Sequence, residues 1–301
     1  FFSLNSLFFL SNNYTQRVFN CIFVLLNLII MKKHLILGVC TLGLVFSCAT
    51  NPITGKKQLN FVSNSELFPT SFQQYGTFLK ENKVIYGTAD AKRVEKVGMR
   101  IKAASEKYLT YLGQAEYLKD YRWEYKLVDN KEVNAWCMPG GKIVVYSGIL
   151  PVTKDDAGLA TVMGHEVSHA ILNHGAQRMS AAQLQQLGAA GVAVATGNKS
   201  AETQQIWNQA YGTGSQVLGM MPFSRSHETE ADKIGLTLMA IAGYNPEEAI
   251  TFWQRMSAQS AGQAQPEILS THPSDATRIA NLKALMPEAK ATAAKVGMLP
   301  K

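Results

Sequence analysis

The sequence predicts an α+β fold, mainly helical, with a small and mostly antiparallel sheet beside one chemically unusual helix. Three observations predict it. Leu159, Val162, Ala170 and Ile171 form an apolar stripe at helical spacing around the pattern His165-Glu166-Val167-Ser168-His169. Tyr121, Trp123, Tyr125 and Leu127 alternate with Arg122, Glu124 and Lys126, the period of a half-buried strand. Asn134 to Met138 and Lys142 to Ser147 then read as two more strands around Pro139-Gly140-Gly141.

Each further element has its own local reason. Asn51-Pro52-Ile53-Thr54-Gly55 is turn-rich and reads as a tether. Ser65 to Glu81 is a weaker helix. Asp90 to Leu112 is a stronger one, with Val94, Val97, Ile101 and Ala104 on one stripe and Lys92, Arg93 and Lys96 off it. Asp155 and Asp156 sit where a helix N-terminus favours negative charge, and His174-Gly175 reads as the end of that helix, with His174 a surface or helix-end residue. Ser180 to Ala201 reads as a core helix weakened by Gly188 and Gly191, with too few apolar residues to span a membrane. Gly212 to Pro222 reads as a mobile segment near a cleft. Ser224 to Asp232 opens a helix that Gly243 ends. Asn245-Pro246-Glu247-Glu248 is a helix start with Asn as cap and Pro at the first position. Ala258 to Glu267 reads as a linker. His272-Pro273 opens a last helix reaching about Leu285, and 286–301 reads as a peripheral C-terminal tail.

The spacing of His165 and His169 carries the chemistry. Residues four apart on a helix share a face, so both imidazoles can reach one metal ion. Imidazole suits zinc, and two leave room for a third ligand and a water. Glu166 adjoins the first ligand, placed to take a proton from that water. A third histidine ten residues after His165 is absent, since that position is Gly175. Val167 to Ala201 contains no carboxylate, which directs attention to the acidic cluster Glu228-Thr229-Glu230-Ala231-Asp232. Glu228 and Asp232 are four apart and share a face, and Glu230 points elsewhere. Glu228 is the better ligand because its longer arm reaches from the helix start, with Asp232 orienting a ligand histidine. The competing reading is a buried helix with two satisfied histidines and an exposed acidic helix end.

His-Glu-Val-Ser-His followed by Ser224-Arg225-Ser226-His227-Glu228-Thr229-Glu230-Ala231-Asp232-Lys233-Ile234-Gly235 resembles the zinc metalloendopeptidases that include the CAAX prenyl proteases, HtpX and the mitochondrial Oma-type proteases. The chain looks closest to the bacterial periplasmic branch, BepA-like and LoiP-like, without its helical-repeat domain. Asn134-Ala135 through Gly140-Gly141, and Ser270-Thr271-His272-Pro273 through Arg278, extend the resemblance over roughly 51–285. It implies a zincin-type metallopeptidase domain over 65–285 with one zinc ion per chain, held by His165, His169 and Glu228. It implies Glu166 as the base and substrate or transition-state contacts from His272 and Arg278, with His272 alternatively a fourth ligand in a resting state. It also places the strand edge at Asn134, Ala135, Gly140 and Gly141 beside the metal, where polypeptide substrates would bind in extended form. An ordinary hairpin with a glycine turn explains the same residues.

The N-terminal region adds a location. Residues 1–30 begin with Phe1 and contain no acidic residue, consistent with mistranslated upstream sequence or a signal extension. Met31-Lys32-Lys33, the apolar run Leu35 to Phe46, and Val45-Phe46-Ser47-Cys48 have the form of a signal peptide over 31–47 ending at a lipidated Cys48, followed by a tether over 48–64. That reading places the chain in a bacterial cell envelope, on the periplasmic face of the outer membrane, held by a lipid anchor. A transmembrane anchor is the alternative, but Lys32 and Lys33 interrupt the apolar stretch short of the ~20 residues a span needs. Removal of Arg17, Lys32 and Lys33 with the signal would lower the net charge from +7 to +4, a mild excess that argues for no nucleic-acid partner. Cys137 would be the only cysteine besides Cys48, leaving no internal disulfide. The readings that remain are an endopeptidase of envelope quality control, an envelope chaperone or assembly factor with structural zinc, and a cytosolic aminopeptidase, which conflicts with the signal segment.

Overall fold

The two helices that build the site cross at a pair of glycines. Helix α4 (Asp156–Ile171) carries the histidine pair, and α6 (Met221–Ile241) carries the acidic cluster. A Cβ on Gly164 would stand 3.2 Å from the Gly235 carbonyl oxygen, and one on Gly235 would stand 3.2 Å from the His165 amide nitrogen. A Cβ at either position would push the facing backbone back by a few tenths of an ångström, so hydrogen at both favours this close approach. The contact brings His165 and His169 directly over Glu228 and Asp232.

A computed structural model describes residues 48–197, 199–201, 203–205, 221–260, 268, 272 and 276–299. The signal segment, Gly212 to Met220 and most of the expected 258–267 linker lie outside these residues. Elements follow in chain order: strands β1 (Cys48–Thr50) and β2 (Lys57–Leu59), helix α1 (Asn64–Glu81), β3 (Val84–Ile85), α2 (Ala89–Tyr111), β4 (Glu124–Val128), β5 (Ala135–Met138), β6 (Lys142–Tyr146), short α3 (Leu150–Thr153), α4, α5 (His174–Thr196), α6, α7 (Glu248–Ser260) and α8 (Ala276–Val296).

Sequence order does not give sheet order. The strands run β3-β4-β6-β5, with β3/β4 and β5/β6 antiparallel and the central β4/β6 pair parallel. Strand β5 is therefore an edge, and it packs against α4. The β5–β6 hairpin turns at Gly140 and Gly141, both with positive φ, at 84° and 87°. A Cβ there would strike the Phe72 ring from α1 and the Trp123 ring. Turn geometry and packing thus account for both glycines.

Helix α4 is buried along nearly its whole length. Its N-terminus is capped by the Asp155 carboxylate, which accepts from the Gly158 amide at 2.9 Å. Its C-terminal carbonyls also find donors. Tyr121 donates its hydroxyl to the Ala170 oxygen, Tyr117 to that of Ile171, and Asn51 and Gln177 both donate to that of Leu172. The tether expectation changes accordingly: Asn51 is buried and clasps the end of α4.

Several local expectations are corrected. Helix α6 begins at Met221, so Glu228 stands two turns inside it rather than at its start. Asn173 adopts the left-handed conformation at φ 56° and breaks the helix, so His174 opens α5 instead of lying at the surface or ending α4, and is fully buried. Helix α5 is core only over its first turns, at Ala176, Gln177 and Ser180; beyond these most side chains are exposed. Helix α8 does not stop near Leu285. It runs through Pro287 to Val296 and buries Met286, Ala289 and Ala293, so 286–296 is part of the core. An apolar stripe of small alanines is a weak signal in sequence, although burial makes it count.

Candidate metal centre

Four side chains from three elements converge. His165 and His169 come from α4, Glu228 from α6, and His272 from the segment before α8. All are buried. His165 Nε2 lies 3.1 Å from His169 Nε2, 3.2 Å from Glu228 Oε2 and 3.2 Å from His272 Nδ1. His169 Nε2 lies 3.2 Å from Glu228 Oε1. A tetrahedral ion with zinc–ligand bonds of ~2.0–2.1 Å has ligand–ligand edges of about 3.3–3.4 Å. The donor set and its spacing therefore fit one such ion. Lone pairs so close together, sheltered from water, are otherwise costly.

The charges agree with this. Burial pushes the Glu228 carboxyl up, but the His165 charge and hydrogen bonds from His165, His169 and His272 outweigh it and hold the group ionised, far below the carboxylate range. Burial holds His169 well below its ordinary value, hence neutral. Both are the states a metal ion needs. For His165, burial and Arg278 push the value down, while Glu228 and Asp232 push it up and prevail, at about 9.

A second shell braces His165. Asp232 Oδ1 stands 3.0 Å from His165 Nδ1, fixing the tautomer that turns Nε2 toward the cluster. Arg278 grips Asp232 through Nε at 2.9 Å and Nη2 at 2.7 Å. Its guanidinium lies 3.5 Å above the Trp253 ring of α7. Arg278 therefore stands behind His165, while Nη1 approaches Glu228 Oε2 at 3.4 Å. Trp253 had no signal in the sequence; only packing makes it the floor beneath the arginine.

Among the described residues, Glu166 leaves one buried carboxylate oxygen, Oε1, without a hydrogen bond, and its near neighbour is His272 Nε2 at 3.4 Å. Glu230 faces away from the cluster, as its half-turn offset from Glu228 requires. It pairs with Lys56 at 2.6 Å and His174 at 3.4 Å. Asn134 and Ala135 lie at the start of the edge strand: Asn134 Oδ1 accepts from the Ala135 amide, and its backbone oxygen accepts from Tyr146.

Peptidase family M48 matches residues 100–286, more than half of the chain and all of the convergent residues. The chain belongs to this family. M48 peptidases are zinc-dependent, in agreement with the donor set. Similar M48 relatives include the mitochondrial metalloendopeptidase OMA1 of Saccharomyces cerevisiae, 33% identical over 65% of this chain and 56% of that protein. OMA1 of Arabidopsis thaliana is 39% identical over 54% of this chain and 31% of its own length. The beta-barrel assembly-enhancing protease of Escherichia coli K12 is 31% identical over 54% of this chain and 34% of its own length. The chain spans about a third to just over half the length of these relatives.

Proposed function

We propose that this M48 chain is a zinc-dependent metalloendopeptidase. One observation carries the reading: among the described residues the buried Glu166 Oε1 has no hydrogen bond, only His272 Nε2 at 3.4 Å, and it lies beside a His165–His169–Glu228 cluster of zinc-like spacing. A structural metal site has no use for an idle buried carboxylate, whereas hydrolysis needs a base there. When bound, zinc supplies Lewis acidity, polarising a peptide carbonyl and acidifying a water molecule. Glu166 Oε1 takes the proton from that water and returns it to the leaving amine. Asp232, held by Arg278, keeps His165 in its ligating tautomer. We assign Arg278 to positioning, because two of its nitrogens are committed to Asp232.

His272 is proposed as the fourth corner of the resting site, since its Nδ1 lies 2.9 Å from Glu228 Oε1 and 3.2 Å from His165 Nε2. Its imidazole would have to withdraw for a substrate carbonyl to reach an ion held by His165, His169 and Glu228. Strand β5 is proposed as the docking edge for extended polypeptides, which add main-chain hydrogen bonds beside α4. Asn134 and Ala135 lie at its start, with Gly140 and Gly141 at its far turn.

The deciding experiment is Glu166→Gln, which keeps size and polarity but cannot accept the proton. Zinc content should remain, while hydrolysis of an unfolded protein substrate should fall by about a hundredfold or more. Undiminished proteolysis by the zinc-loaded variant would overturn the mechanism.

For location we propose a lipid anchor at Cys48 on the periplasmic face of a bacterial outer membrane, with envelope polypeptides as substrates. The support is the run Val45-Phe46-Ser47-Cys48 after Lys32-Lys33. Among the described residues no helix is long and apolar enough to cross a membrane. Cys48→Ser should leave an unprocessed chain without acyl groups; an acylated mature Cys48→Ser protein would place the anchor elsewhere.

A further inference from the structure

The support behind His169 differs from that behind His165. Among the described residues no carboxylate meets its Nδ1. Instead His169 Nδ1 lies 2.9 Å from Nδ1 of His174, which is fully buried at the first position of α5. On its other side, His174 Nε2 lies 3.4 Å from Glu230 Oε2. Glu230 Oε1 lies 2.6 Å from Lys56 Nζ. The His174 ring is also stacked on that of His227, with centroids 4.0 Å apart and planes at 8°, and His227 Nε2 meets Gln177 Oε1 at 3.2 Å.

From this arrangement we infer that His174 and Glu230 are positioning residues for the metal centre: an imidazole–carboxylate relay that orients His169 from behind. The inference rests on His169 being a zinc ligand. The tautomers follow from the contacts. To present the Nε2 lone pair, His169 carries its hydrogen on Nδ1 and donates it to Nδ1 of His174. His174 must then carry its own hydrogen on Nε2, facing the Glu230 carboxylate. Each proton has one place, so Glu230 selects the tautomer of His174, and His174 selects that of His169. Stacking on His227 holds the ring in plane for this task. The negative Glu230 also strengthens the His169 lone pair by polarising both rings, as an outer carboxylate does for a directly bonded ligand.

The relay also explains three sequence features that the primary site leaves unused. His174 lies five residues beyond His169, off its helical face, and reaches it across the break that the left-handed Asn173 makes between α4 and α5. Glu230 lies half a turn from Glu228 and so addresses the second histidine from the opposite side. Lys56 belongs to the turn that Asn51 anchors onto the end of α4. Its side chain is largely exposed, so this outermost pair contributes little by itself.

The test compares His174→Phe, His174→Gln and Glu230→Gln in the full chain, measuring zinc affinity against a competing chelator and the melting temperature of the metal-free protein. Phenylalanine keeps the stacking plane and volume but accepts no hydrogen bond. It should weaken zinc binding by about ten- to a hundredfold, with the metal-free melting temperature retained. Glutamine offers a carbonyl to His169 and should recover most of the loss. Glu230→Gln should fall between wild type and His174→Phe. Wild-type zinc affinity in His174→Phe would overturn the inference, as would a loss that follows the melting temperature and is not recovered in His174→Gln. A wild-type chain that binds no zinc, or a His169→Ala chain that binds it fully, would instead overturn the ligand assignment beneath it.

Discussion

Asp232 receives both forks of Arg278 on one side and presents Oδ1 to His165 Nδ1 at 3.0 Å on the other. The carboxylate is buried, which pushes its pKa up, but the arginine and His165 outweigh the burial and keep it ionised. Asp232→Asn keeps the shape and removes the charge. Zinc affinity should fall by about ten- to a hundredfold, with the fold intact. Unchanged affinity by chelator competition would show that His165 needs no such partner.

Glu228 and Glu230 should separate cleanly. Glu228→Gln replaces a charged donor between two imidazoles with a neutral amide, so zinc should be lost on dialysis together with peptide hydrolysis. Glu230→Gln should retain stoichiometric zinc on dialysis at high protein concentration and show its defect only against a chelator. Zinc retained in Glu228→Gln would displace that residue from the ligand set.

His272→Ala empties the fourth corner. Basal proteolysis should rise, while zinc retention drops modestly because one donor is lost. A lower kcat at full zinc occupancy would instead assign His272 to the transition state, and the resting-state reading would fail.

Gly235→Ala tests the helix crossing. The added methyl meets rigid backbone, the His165 amide nitrogen at 3.2 Å and the Gly164 carbonyl carbon at 3.3 Å. Separating α4 from α6 should cost about 1–3 kcal/mol in urea unfolding and weaken zinc binding at the same time. A stability loss with unchanged zinc affinity would show that the site tolerates the wider spacing.

Alkaline stability follows from Tyr117. Burial raises its pKa from 10 to about 12, while its hydroxyl donates to the Ile171 oxygen. The unfolded chain loses this proton first, near pH 10, and the folded chain only near pH 12. Stability is therefore complete below pH 10 and falls as pH rises toward 12, by roughly 3 kcal/mol for a two-unit shift. Urea unfolding across this range checks the sign; stability that holds or grows above pH 10 would contradict it.

Much of the site was legible because it is local. His165, Glu166 and His169 lie within one turn of a helix, and Glu228 and Asp232 share a face by spacing alone. The Asp155 cap and the hairpin glycines are also local signals. The errors arose where the chain folds back. His174 reads as a surface or helix-end residue until the break at Asn173 sets it beside His169. The helix after His272 reads as ending at Leu285, because Met286, Ala289 and Ala293 carry little apolar weight until α8 is packed.

The sequence by itself determined the donor types, their helical phase and the strand periods, all properties of neighbours within a few residues. Only the tertiary structure decided the parallel β4–β6 pairing, the place of Arg278 over Trp253, the arrival of His272 at the cluster and the relay through His174 to Glu230. Those relationships join residues distant in sequence, and they depend on how closely helices can approach. At the centre that approach is set by Gly164 and Gly235, whose missing side chains allow α4 and α6 to meet backbone to backbone.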